Sequence, residues 1–91
     1  MNFLIAIHKD PDSDYGVTVP DLPGCFSAGS TFAEALTMAK EAIELYLDSM
    51  LDDGKELPTP SVEIDTFRKD PNFADAIWAL VKVELNWRAP V

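Results

Sequence analysis

Ninety-one residues suffice for one domain with a modest core and are too few for two. With 47% hydrophobic residues the composition is that of a folded chain, not a disordered one. A formal net charge of −9, from 16 acidic against seven basic residues, opposes binding to nucleic-acid phosphates; it leaves a basic partner, or acidity that serves solubility alone.

The opening MNFLIAIHKD has no basic leader, and its apolar run is too short for a signal peptide or a membrane span. Phe3 to His8 reads as a strand, and Asp10-Pro11-Asp12-Ser13-Asp14 behind it as a turn. Tyr15 to Val19 alternates, with Tyr15, Val17 and Val19 on one face and Gly16 and Thr18 on the other. Pro20 stops this second strand, PDLPG is a turn cluster, and Gly24 to Gly29 is a short third strand. Cys25, the one cysteine, allows no internal disulfide and suits a reducing cytosol.

Thr31, followed three residues later by Glu34, is a capping-box signature. Phe32, Ala35, Leu36, Ala39, Ala42, Ile43, Tyr46, Leu47 and Met50 then recur at helical spacing, with Glu34, Lys40, Glu41, Glu44 and Asp48 on the other side. Gly54 is the expected C-terminal cap, which gives about six turns at ~3.6 residues each. KELPTPSVE is a connector, Ser61 to Lys69 a short helix or irregular, and Asp70-Pro71 a break. Ile77 to Leu85 is the closing strand, with Ile77, Ala79, Val81, Val83 and Leu85 on one face and Trp78, Leu80, Lys82 and Glu84 on the other. NWRAPV carries no pattern.

The order β-β-β-α-β predicts an α+β two-layer domain over residues 1–91: an antiparallel meander joined by a last strand, with one amphipathic helix on one face. The third and closing strands are the candidate edges, through which a homodimer or higher oligomer would share its sheet. The second face, with Leu4, Ala6, Trp78 and Leu80, is left for something else to cover.

Catalysis finds little to work with. His8 is the one histidine and has no second ligand nearby in sequence; Cys25 needs a base, and sequence does not pair it with His8. DPDSDYG resembles a calcium loop only in its first aspartates, since no glutamate closes it; turn aspartates commonly serve local hydrogen bonds. There is no glycine-rich phosphate loop and no basic stripe. Tyr15, Phe26, Phe67, Trp78 and Trp87 could stack on bases, but the surrounding charge is wrong. No catalytic, metal or cofactor residue is assigned.

The run from IAIHKD through DYGVTVPDLPGCFSAGST and the Ala/Glu-rich helix to LPTPS resembles the HicB family of antitoxins over Met1 to Ser61, and FADAIWALVKVEL is similar to that family's closing strand. The resemblance implies a partial ribonuclease H-like fold without that enzyme's carboxylates. It also implies a cytoplasmic antitoxin that binds and occludes a small basic HicA-type mRNA-cleaving toxin. Many members carry a further DNA-binding domain; no such segment is recognised before Val91, so operator binding is not expected of these residues. On this reading Pro20, Pro23 and Gly24 make a rigid turn, and rigidity lowers the ordering cost of binding. Asp10, Asp12, Asp14 and Asp21 steer a cationic partner, and with Tyr15, Pro23 and Phe26 they form the expected partner surface. The alternatives are a degenerate metal-dependent nuclease of ribonuclease H type, a generic protein-interaction module, and an operator-binding regulator.

Overall fold

A computed structural model describes residues 1–60 and 64–84. Strands β1 (Asn2–Lys9), β2 (Tyr15–Thr18), β3 (Phe26–Gly29) and β4 (Ile77–Lys82) form one sheet in the order β3-β2-β1-β4. Every neighbouring pair is antiparallel. Helix α1 (Phe32–Asp52) crosses one face, and a five-residue helix α2 (Ile64–Arg68) and a 3₁₀ turn (Pro71–Phe73) precede β4. The α+β architecture, with the third and closing strands at the two edges of the sheet, is as the sequence predicts. Among the described residues no helix is long and apolar enough to cross a membrane.

The pleat explains the core. Phe3, Ile5 and Ile7 of β1, Val17 and Val19 of and beyond β2, and Val81 and Val83 of and beyond β4 all point to the α1 side, where Ala35, Ala39, Ile43 and Leu47 meet them. The two alanines let the first half of α1 approach the sheet closely. Gly29 completes that approach: a Cβ there would lie 2.8 Å from the Ala35 Cα. The ladder continues past β4, as the Val83 N–H donates to the Met1 carbonyl at 2.8 Å. Leu85 and the NWRAPV segment, Trp87 included, lie outside the described residues, as do the first residues of the Ser61 to Lys69 stretch.

Both ends of α1 follow from local sequence. Thr31 Oγ1 accepts the Glu34 N–H at 3.0 Å, and the Glu34 carboxylate accepts from Ser30, both from its N–H (3.2 Å) and its hydroxyl (3.3 Å). The reciprocal half of the capping box is thus shifted one residue upstream. At the other end Gly54 takes φ +72° while its N–H donates to Leu51 and that of Lys55 to Met50, the pattern of a Schellman motif.

Two expectations need correction. The third strand begins at Phe26, not Gly24, because Gly24 is held at φ +81° in the preceding turn. The second sheet face is not bare either. Phe67 stacks on Trp78 with ring centroids 6.0 Å apart, Phe73 packs on Trp78 at 5.5 Å, and His8 stacks on Phe73 at 6.2 Å. The connector before β4 therefore brings an aromatic cap onto this face, and Leu4 and Ala6 are buried. Leu80 and Phe26, on the two edge strands, remain 56% and 67% exposed.

Candidate partner-binding surface

The β1–β2 hairpin presents Asp10, Asp12 and Asp14, all exposed. The Ser13 N–H donates to the Asp10 carbonyl at 3.2 Å, Pro11 fills the first central position, and Asp12 takes φ +65° at the second. That is the pattern of a type II turn. The Ser13 hydroxyl accepts the Asp10 N–H at 3.1 Å and donates within the turn. Lys9 Nζ donates to the carbonyls of Asp10 (3.3 Å) and Ser13 (2.8 Å) and lies 5.5 Å from the Tyr15 ring centroid. The nearby cation is thus tied to backbone and to an aromatic face. Among the described residues, none of the three hairpin carboxylates is in an ion pair.

The β2–β3 loop is built differently. The Leu22 N–H donates to the Val19 carbonyl at 3.0 Å and the Cys25 N–H to the Leu22 carbonyl at 3.0 Å. Two consecutive turns result, each with proline at its first central position, and Gly24 supplies the positive φ of the second. Leu22 drops into the core between the prolines, where burying such a side chain contributes roughly 1.5–3 kcal/mol. From α1, the Tyr46 hydroxyl donates to the Pro23 carbonyl at 3.0 Å and ties the loop to the helix. Asp21 is half-buried here and Pro23 exposed.

The seven expected residues do not converge. Asp10, Asp12 and Asp14 sit at one end of β2, and Asp21 and Pro23 at the other, roughly 13 Å apart along four residues at ~3.3 Å each. Tyr15 turns to the α1 side and meets Phe32 edge-on at 5.9 Å; Phe26 turns to the opposite face. There are two surfaces, then, a hairpin tip and a loop with its adjoining edge strand. Sequence reading missed Leu22, Tyr46 and the aromatic cap. The signals were there: a lone leucine framed by two prolines, and a tyrosine on a buried helical stripe whose hydroxyl needs a partner.

His8 and Cys25 are kept apart. His8 pairs with Gly16 on the second face; Cys25 is buried on the α1 side at the far end of the sheet. Burial pushes the Cys25 thiol above its ordinary range, which disfavours the nucleophilic thiolate. Among the described residues no three carboxylate, histidine or cysteine side chains are grouped to hold a metal ion. What the arrangement offers is charged and apolar surface on a rigid frame, the makings of a binding module.

The comparisons agree with that frame. The family model of the HicB-like antitoxin of bacterial toxin–antitoxin systems matches residues 3–89. The chain belongs to the HicB-like antitoxin family. It is 46% identical over 86 residues to a 14.9 kDa protein from the rep–hol intergenic region of Haemophilus phage HP1, a match that covers 94% of this chain and 63% of that one. Its fold is similar to the N-terminal domain of Burkholderia pseudomallei antitoxin HicB, with a TM-score of 0.80 and 40% identity over 93% of this chain and 100% of that one. A chain in the HicA3 and HicB3 toxin–antitoxin complex gives a TM-score of 0.74 at 29% identity, over 92% of this chain and 99% of that one.

Proposed function

We propose that this chain is an antitoxin that acts in the cytoplasm by binding, not by catalysis: it docks a small basic HicA-type ribonuclease and covers its active site. Family membership across residues 3–89 carries the reading, and likeness to a chain in a HicA3–HicB3 complex supports it. The physical chemistry agrees. A net charge of −9 favours encounter with a cation-rich protein, and Asp10, Asp12 and Asp14, in no ion pair among the described residues, put three carboxylates on a rigid tip. Tyr15 braces this tip through Lys9, while Asp21, Pro23 and Phe26 form the separate surface at the other end of the sheet. Operator binding is assigned to none of these residues.

The test is co-expression with the small basic protein encoded beside this gene, followed by calorimetric titration and an RNA-cleavage assay on the same samples. Tight binding with loss of cleavage is expected. Cleavage that proceeds unchanged in excess antitoxin would overturn the proposal.

A further inference from the structure

Helix α1 turns Ala35, Ala39, Ile43 and Leu47 to the sheet. Leu45 stands two residues from each of the last two, which puts it on the far side of the helix at about 100° per residue. It is 71% exposed, more than any other large hydrophobic side chain among the described residues, and Met38, two turns earlier on that side, is 40% exposed. Single apolar side chains are ordinary on a protein surface. Leu45 is set differently, because it walls an open groove of about 330 Å³ whose other walls are Glu41, Glu44 and Asp48.

The three carboxylates are spaced i, i+3 and i+7, so they line one side of the helix and repel one another along it. Among the described residues the ion pairs are Arg68–Asp65 and Lys82–Glu84; none of the three acids is in one, nor is Lys40, four residues before Glu44. The Glu44 carboxylate accepts the Glu84 N–H at 3.3 Å, which ties one wall of the groove to the chain beyond β4. An opposite charge one turn away stabilises a helix and a like charge destabilises it, so a helix that only covered a sheet would gain from a cation among these acids. An apolar wall beside three carboxylates suits an arginine or lysine side chain from outside. Its methylene stem packs on leucine while its cationic head meets the carboxylates.

We propose, building on the antitoxin reading above, that this outer face of α1 is the contact that holds the bound toxin. A cationic side chain of the basic ribonuclease enters the groove against Leu45, and Met38 extends the apolar contact along the helix. Charge complementarity selects this occupant. A second copy of the chain, paired through the same face about a two-fold axis, would set Glu41 and Asp48 against carboxylates with no cation between them, and a nucleic acid would bring phosphates to them. The hairpin carboxylates act on approach, whereas the groove acts in the bound state. The two are therefore separable in kinetics, the hairpin in association and the groove in dissociation.

The test is the dissociation rate of the complex with the small basic protein encoded beside this gene, measured for the native chain, for Leu45→Ala and for Glu41→Gln with Asp48→Asn. Leu45 is exposed, so its truncation leaves the fold intact. Neutralising the two acids relieves repulsion along α1, so the free double variant should melt at the same temperature as the native chain or higher. Both variants should nonetheless hasten dissociation and raise Kd roughly tenfold. A charge-matched control at exposed positions, Glu56→Gln with Asp75→Asn, should leave dissociation nearly unchanged. Hydroxyl-radical oxidation of Met38 and Leu45 should fall when the toxin is added. A toxin that is bound and inhibited equally well by every variant overturns this inference and leaves the antitoxin reading standing. A native chain that does not bind the toxin overturns both. Self-association of the chain that Leu45→Ala abolishes would give the groove to a second copy, and overturns the inference as well.

Discussion

Gly29 is where a single hydrogen atom decides the packing of the whole helix. Its φ is not in the left-handed region, so conformational freedom is not the reason for glycine; the Ala35 backbone is. A methyl group cannot be accommodated by a side-chain adjustment because the atoms it meets are main chain. Gly29→Ala should destabilise by about 3 kcal/mol, the upper end of the usual overpacking range, seen as a lower urea midpoint at an unchanged slope. Cys25 gives a second expectation, in pH. Its folded-state pKa is raised by burial, so the native state keeps a proton that the unfolded chain releases above its ordinary value of 9.0. Its contribution is fully present below that value and is lost as pH rises past it towards the folded pKa. Stability of the native chain should fall more steeply above about pH 9 than that of Cys25→Ala, with the difference between the two melting curves isolating the thiol.

At the scale of elements, α1 is more than a lid on the sheet, because it also fixes the β2–β3 loop through Tyr46. Removing that hydroxyl in Tyr46→Phe keeps the ring and its packing and deletes one hydrogen bond. The expected cost is about 1 kcal/mol, with faster amide exchange at Leu22 and Cys25, whose N–H groups close the two turns. Faster exchange spread evenly over α1 instead would show that the tyrosine supports the helix and not the loop. Helix α1 itself was legible in the sequence from the spacing of its apolar positions, the Thr31 and Glu34 signature and Gly54, all local patterns that tertiary contacts reinforce. The strands were legible for the same reason, since alternation at Tyr15, Val17 and Val19 marks the buried face whatever the neighbours are. The aromatic cap was not, because Phe67 and Phe73 belong to a connector with no usable period and meet Trp78 only once β4 has paired with β1. The expected partner surface was legible as residue types but not as a place. Asp10 to Phe26 is one short stretch of sequence, and β2 runs through it, so residues close along the chain end up at opposite ends of the sheet.

The whole molecule adds an electrostatic argument that individual contacts do not contain. A formal charge of −9 on a domain of radius of gyration 13.7 Å produces a field that draws cationic proteins from any direction, so the hairpin matters only if it shapes that field. The hairpin carries three exposed carboxylates within five residues, offset in part by the Lys9 ammonium held against the turn's backbone carbonyls. Asp10→Asn, Asp12→Asn and Asp14→Asn together keep the turn, since asparagine tolerates the positive φ at position 12, and bring the formal charge from −9 to −6. A control with Asp52→Asn, Glu56→Gln and Asp65→Asn makes the same change of charge at exposed positions elsewhere. If the hairpin guides the toxin, the first set should slow association at low salt several-fold more than the control, leave dissociation nearly unchanged, and lose its effect as salt rises above a few tenths molar. Equal slowing by both sets would assign the attraction to net charge alone. Slower association that persists at high salt would instead put the hairpin carboxylates inside the contact, where their loss should also hasten dissociation.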